Sequence, residues 1–388
     1  MIPRFLSAEL QLLLKEYPVV TVLGPRQAGK TTLVRNTLKQ YQYVNLETPN
    51  VLKFATDDPL AFLQQYRDEV IFDEIQRAPH LISYIQTIVD DTNRNGQFVL
   101  TGSHQLELRA AVSQSLSGRT ALLNLLPFSL PELKAAKIEF DRFEDYIFNG
   151  FLPRIYDKNQ RPTTAYSNYY QTYVERDVRQ LIHLKDETLF DKFIHLLAGR
   201  TGQLINYNSL ASDVGVSNKT IKEWLSILEA SFVVFKLNPY FENFGKRVIK
   251  SPKYYFTDTG LLAYLLGITK ADQVSRDPLV GQLFENLVIL EALKERYNRG
   301  LDANLFFYRD SNGNEIDLLH AQGRDLTGIE IKSAATFQNE FKKGLNKFSR
   351  QQHPLKNAYV IYNGEKMEFS DRVMALNYTE TADVVGTF

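Results

Sequence analysis

Residues 18–32 read PVVTVLGPRQAGKTT, and no other stretch of the chain constrains its fold so tightly. A β-branched run, Val19 to Leu23, leads into a turn that fits G-x-x-x-x-G-K-[ST] at Gly24, Gly29, Lys30 and Thr31, and TTLVRNTLKQ continues at helical spacing. Strand, glycine loop and helix in that order hold phosphate: backbone N–H groups close around the anion and the helix N-terminus adds its positive end. The predicted loop comprises Gly24, Pro25, Arg26, Gln27, Ala28, Gly29, Lys30, Thr31 and Thr32. Lys30 is expected to reach the β- and γ-phosphates of ATP, and Thr31 to ligate Mg²⁺. The alternative, a chance glycine turn, leaves the flanking strand and helix unexplained.

A second strand is read at Tyr43 to Glu47, followed by DEVIFDEIQRAP, where the apolar run Val70-Ile71-Phe72 ends in Asp73-Glu74. An aspartate to hold the Mg²⁺ shell and a glutamate to orient the attacking water are what ATP hydrolysis needs beside a phosphate loop. A solvated strand end gives the same two letters; their place one strand and one helix past the loop favours the catalytic reading. A third strand, Phe98-Val99-Leu100, ends at Thr101-Gly102-Ser103; hydroxyls at that tip sit where related ATPases sense the γ-phosphate, so Ser103 is the expected sensor, with Thr101 second. In QSLSGRT, Arg119 is placed to stabilise transition-state charge in its own subunit or in a neighbour, or else to form a surface ion pair.

These motifs do not stand alone. GPRQAGKTTL, VIFDEIQRAP, FVLTGS, SLSGR, LLPFSLPEL, NGFLPRIY and YVERDV occur in this order. Together they resemble a prokaryotic family of AAA-type P-loop ATPases whose C-terminal half was long catalogued as a domain of unknown function. Asn149 departs from the pattern, standing where the family usually carries a second glycine. The resemblance implies an ATPase core with a helical lid, and assembly into homo-oligomers or rings.

Composition narrows the partners. The 388 residues carry 45 Lys+Arg against 45 Asp+Glu, so no global basic field advertises nucleic acid, and any such surface must be a local patch. The absence of cysteine excludes disulfides, thiolate metal sites and cysteine nucleophiles, and fits a reducing, cytoplasmic location. Arg4, Glu9, Lys15 and Glu16 interrupt any secretory core, while Leu6, Leu10, Leu13, Leu14 and Tyr17 recur at helical spacing. No apolar stretch approaches the roughly 20 residues that span a bilayer, so no membrane is expected.

The middle of the chain carries two helical signals. Residues 163–185 read as a long tyrosine-rich helix, more in keeping with packing than with base stacking. Residues 207–229 read as helix-turn-helix: Gly215 supplies the turn, Ser217 the N-cap, and Ile221, Leu225 and Leu228 the inner face. Asn218, Lys219 and Lys222 are left outward. Strands at Phe232 to Leu237 and Lys253 to Phe256, with Lys246, Arg247 and Lys250 between them, complete a winged-helix pattern. Between residues 200 and 270 nine Lys/Arg stand against five Asp/Glu. The module suits DNA or RNA, or alternatively a protein contact.

In the last third, an amphipathic helix carrying Glu285 precedes NEIDLL and GIEIKS. Glu315 and Asp317 share one strand face, as do Glu330 and Lys332. This series resembles the PD-(D/E)xK nuclease superfamily, in which Glu285, Asp317 and Glu330 would hold a second divalent cation and Lys332 would position water. A surface ion pair is the plain alternative.

The expected architecture is α/β: an ATPase core with parallel sheet over 1–125, a helical lid over 126–195, a winged helix over 196–270 and a restriction-endonuclease-like module over 271–388. The expected function is an ATP-hydrolysing AAA-type ATPase acting on, or regulated by, nucleic acid. The alternative is a nucleotide-gated regulator of a protein partner whose nuclease-like module is inert.

Overall fold

Val19–Leu23 forms β1, and all five of its side chains are buried, as befits a strand covered on both faces. The computed structural model describes residues 2–103, 115–178, 187–240, 251–351 and 354–386. They divide into two units: Met1–Phe128 with Ala230–Phe232 and Tyr297–Leu301, and Ser129–Glu229 with Val233–Arg296 and Asp302–Phe388.

In the first unit, β1 lies in a parallel sheet with β2 (Gln42–Asn45), β3 (Val70–Asp73), β4 (Phe98–Gly102) and β5 (Thr120–Asn124), in the order β2-β3-β4-β1-β5. The four-residue spacing of Leu6, Leu10 and Leu14 gives α1 (Leu6–Glu16) one apolar stripe. That stripe packs with Val20 and Val22 of β1, Leu33 and Val34 of α2 (Lys30–Thr37), Ile71, Val99 and Leu123. Helix α3 (Leu81–Thr92) buries Leu81, Ile82, Ile85 and Val89. Strand β5 was not among the expected strands: its run TALLN is short, carries only one fully buried residue and lies on the sheet edge.

The second unit holds an eight-stranded mixed sheet. Before it come α4 (Pro162–Tyr169), α5 (Tyr207–Val214) and α6 (Asn218–Ala230). The tyrosine-rich segment is not one regular α-helix: after α4 it continues as a π-helix over Tyr170–Val178. Tyr166, Tyr169, Tyr170 and Tyr173 are buried, so these rings pack rather than present a stacking surface. Residues 179–186 lie outside the described residues, as do the side chains of Arg176 and Asp177.

Asn206 caps α5 by accepting from the amides of Asn208 and Ser209, and Gly215 ends it in the left-handed conformation. Ser217 Oγ accepts from the Thr220 amide at 3.0 Å and so opens α6, whose buried face is Ile221, Trp224, Leu225 and Leu228. Lys219 and Lys222 are exposed. The expected wing residues Lys246, Arg247 and Lys250 lie outside the described residues.

Strands β6 (Val234–Pro239) and β7 (Lys253–Phe256) pair antiparallel, and the end of β6 pairs in parallel with β8 (Leu305–Arg309). The hairpin thereby joins β9 (Glu315–Gln322), β10 (Asp325–Lys332), β11 (Asn357–Tyr362), β12 (Met367–Glu368) and β13 (Val373–Asn377) in the order β12-β13-β11-β10-β9-β8-β6-β7. Helix α7 (Val280–Asn298) was expected to be amphipathic. Instead it buries Leu283, Phe284, Leu287, Val288, Leu290 and Leu293, and its buried polar groups are paired. Asn286 bonds both backbone groups of Phe256, and Glu291 accepts from Lys294 Nζ at 2.8 Å and the Leu130 amide at 2.7 Å. Burial pulls the Lys294 ammonium below the ordinary lysine range, while Glu291 opposes the shift. Among the described residues no helix is long and apolar enough to cross a membrane.

Candidate functional site

Strand order places the chemistry of the first unit. β4 lies between β1 and β3, and the register sets Leu23 beside Gly102 and Phe72 beside Leu100. The glycine loop, Asp73-Glu74 and the Thr101–Ser103 tip therefore emerge from three adjacent strands at their carboxyl ends, where open α/β sheets bind ligands.

The loop is shaped by contact and by backbone. A Cβ on Gly24 would lie 2.0 Å from the carbonyl oxygen of Leu125, so only glycine lets the loop leave the sheet here. Gly29 takes φ 92° and opens α2. Lys30 is buried, and its Nζ donates to the carbonyls of Gly24 and Pro25, each at 2.9 Å. Burial pulls this ammonium below the ordinary lysine range, with Glu74 and Asp73 opposing. Arg4, read in the sequence only as an interruption of apolar residues, braces the loop from behind. Its guanidinium donates to Ala28 O and Leu126 O, both at 2.6 Å.

Asp73 is nearly buried and surrounded by hydroxyls. Thr31 Oγ1 donates to its Oδ2 at 2.9 Å, Tyr43 OH to the same oxygen at 2.6 Å, and Thr101 Oγ1 to Oδ1. Burial and the Asp73 carboxylate push the Tyr43 phenol well above its usual range. Thr31 and Asp73 thus form an all-oxygen pair of the kind a hard divalent cation prefers. Glu74 adopts the left-handed conformation at φ 59° and ψ 48°. Its amide donates to Thr101 Oγ1 at 3.2 Å, and its Oε2 accepts from Ser103 Oγ at 3.2 Å and from Gln76 Nε2. Ser103 and Thr101, expected as phosphate sensors, are here hydrogen-bonded to the two acidic residues.

Arg119 is placed elsewhere. It immediately precedes β5, whose first residue pairs with Val19 while its last pairs with Leu23. The arginine therefore stands at the amino end of the sheet, the loop at the carboxyl end. Its guanidinium donates to both oxygens of Asp90, with Nη2 at 2.9 Å from Oδ2. That separation, about 16 Å over five residues of strand, removes the reading in which it touches the nucleotide of its own chain.

The second unit gathers the other predicted cluster, with a different composition. The antiparallel register, Ile329 opposite Leu318, brings Glu330 alongside Asp317. Lys332 Nζ lies 3.0 Å from Asp317 Oδ2 and 2.9 Å from Glu330 Oε2, and the Ile331 amide donates to Asp317 Oδ2 at 2.8 Å. Glu285 is engaged by a second lysine: Lys253 Nζ lies 3.1 Å from Glu285 Oε1 and 2.7 Å from Glu315 Oε1, and Tyr255 OH also donates to Glu285. Arg309 adds a bond to Glu315 at 2.9 Å. Burial raises the Glu330 and Glu285 carboxyls above their ordinary range, whereas Lys332 and Lys253 hold Asp317 below it. The carboxylates raise both ammonium groups in turn.

The expected arrangement of Glu285, Asp317 and Glu330 around one cation is not what the sheet builds. Among the described residues no group of three such side chains is placed to hold a metal ion. Each of these carboxylates is instead bound to a lysine in this structure. Lys253 was missed because it comes from β7, more than 30 residues before Glu285 in sequence.

Residues 16–134 match the family described as AAA domain, and residues 140–272 and 280–381 match two domains of unknown function (DUF8612 and DUF4143). An uncharacterised protein of Mycobacterium tuberculosis is 31% identical over 378 residues, spanning 95% of this chain and 82% of its own. The chain belongs to that protein's family. An uncharacterised protein of Haemophilus influenzae is similar at 26% identity over 315 residues, covering 72% of this chain and 75% of its own. The solved Walker-type ATPase of Pyrococcus abyssi is similar at 13% identity and a TM-score of 0.45, covering 68% of this chain and 96% of that one. This member of the family carries an AAA-type P-loop ATPase domain.

Proposed function

We propose that this protein binds Mg²⁺-ATP at the loop between β1 and α2, hydrolyses it with Glu74, and uses the cycle on, or under the control of, nucleic acid. The observation that carries the ATPase reading is the meeting of Lys30, the Thr31–Asp73 pair and Glu74 at one sheet edge. Lys30 exchanges its bonds to the Gly24 and Pro25 carbonyls for the β- and γ-phosphates. Thr31 and Asp73 would hold a magnesium ion, which would neutralise phosphate charge. Glu74 accepts a proton from the attacking water as its oxygen bonds to the γ-phosphorus, and ADP leaves with the bridging oxygen. Ser103, hydrogen-bonded to Glu74, would sense the γ-phosphate.

For nucleic acid the support is local: α6 presents Lys219 and Lys222 to solvent at its N-terminal end, where such helices meet a duplex. Lys219 is also 3.8 Å from Glu223, so its charge is partly offset. The test is ATP turnover with and without DNA or RNA. The nucleic-acid reading expects stimulation, and expects Lys219→Glu/Lys222→Glu to weaken binding across all sequences and flatten its salt dependence. Unchanged turnover, with unchanged affinity and salt slope in the double variant, would refute it.

A second reading is favoured by the lysine-filled carboxylate cluster. There the C-terminal module is inert and the nucleotide state gates a protein partner. The same turnover assay separates the two, since nucleic acid then leaves the rate unaltered.

A further inference from the structure

Glu74 is held in a way its motif does not announce. The left-handed backbone at Glu74 opens a 3₁₀ turn over Ile75–Arg77, which swings Gln76 back beside the carboxylate two residues earlier. Gln76 Nε2 donates to Glu74 Oε2 and lies 3.2 Å from Ser103 Oγ, while Ser103 Oγ donates to the same Oε2. Among the described residues, every hydrogen bond to this carboxylate falls on Oε2. One oxygen is thus fixed by two donors and Oε1 is left to accept. A second observation points to the same spot. Gln76 Oε1 is a buried acceptor with no hydrogen-bond partner among the described residues. A buried carbonyl of this kind marks a place for a donor. The attacking water is such a donor.

We propose that Gln76 is a positioning residue for ATP hydrolysis. Its amide N–H, with Ser103, pins Oε2 so that Oε1 of Glu74 faces the water, and its carbonyl gives that water a second acceptor. This rests on the reading of Glu74 as the group that takes the water's proton. The amide is needed because it donates on one side and accepts on the other; an ionised carboxylate only accepts, and an apolar chain of similar size does neither. Ser103 alone cannot fix a carboxylate against rotation, because a single donor defines a direction but not a plane.

The experiment is single-turnover hydrolysis together with ATP binding, on Gln76→Met and Gln76→Ala, each in the wild-type and in the Glu74→Gln background. Gln76→Met keeps the volume and removes the donor. Both variants should lose about 10- to 100-fold in hydrolysis rate while binding ATP within about twofold of wild type, the loss expected when a reacting group is misplaced by about an ångström. In the Glu74→Gln background neither should lower the rate further, because groups acting through one another are non-additive. Several results would overturn the proposal: an unchanged rate, a normal rate for Gln76→Met with an impaired Gln76→Ala, loss of ATP binding along with turnover, or losses that multiply with Glu74→Gln. If Glu74→Gln itself hydrolyses at the wild-type rate, the reading of Glu74 is what fails, and Gln76 falls with it.

Discussion

A guanidinium that stabilises a phosphoryl-transfer transition state must arrive at the phosphate, and a strand five residues long decides whether it can. Arg119 and Lys30 lie at opposite ends of the β1–β5 pair, and Arg119 is tied to Asp90 on α3. We propose that Arg119 acts across a subunit boundary in a homo-oligomer, completing the site of a neighbour. Arg119→Ala should then abolish hydrolysis while ATP still binds, and mixing it with Lys30→Ala subunits should restore part of the activity. A protein that sediments as a monomer in every nucleotide state with full activity would refute this, as would an active Arg119→Ala. Lys30 and Thr31 lie in one short motif and Asp73 and Glu74 in another, and each pair was legible in the sequence by its own local pattern. Arg4, Tyr43 and Gln76 were not. Their roles arise from contacts that no local pattern encodes: one across 24 residues, one across 30, and one from a left-handed turn.

At the level of elements, the cluster drawn from β7, α7, β9 and β10 sets lysines against acidic residues. Lys253 is almost wholly buried and bridges Glu285 of α7 to Glu315 of β9. Lys332 bridges Asp317 and Glu330. Removing one partner of a buried pair leaves an uncompensated charge. Lys253→Met should therefore lower stability by about 3–5 kcal/mol, with part of the loss recovered by adding Glu285→Gln. Urea unfolding measures both, and Mn²⁺ titration of the wild-type protein should show no binding that depends on Asp317. A neutral effect of Lys253→Met, or Mn²⁺ binding abolished by Asp317→Asn, would show that the lysines are not what balances the cluster. The alternation of NEIDLL and GIEIKS made the facing of Asp317, Glu330 and Lys332 readable, since side chains alternate along any strand. The partner supplied by β7 was unreadable, because strand order in a mixed sheet is set by packing at long range. The same limit explains β5 and the all-round burial of α7.

Across the whole molecule, the chain divides into a unit that carries the glycine loop and a unit that carries α5, α6 and the mixed sheet. The helical, winged-helix and nuclease-like segments expected as separate domains fall together in the second of these, linked where the β6–β7 hairpin joins β8. Every larger proposal, whether the target is nucleic acid or protein, depends on ATP being bound and hydrolysed in the first unit. The most direct measurement of that claim is binding and single-turnover hydrolysis of labelled ATP by the wild type, Lys30→Ala and Glu74→Gln. Lys30→Ala should lose tight binding, because the cation facing the phosphates is gone. Glu74→Gln should bind as the wild type does and hydrolyse about 10²- to 10⁴-fold more slowly, the contribution typical of a positioned general base. Wild-type binding and wild-type hydrolysis in both variants would contradict the account.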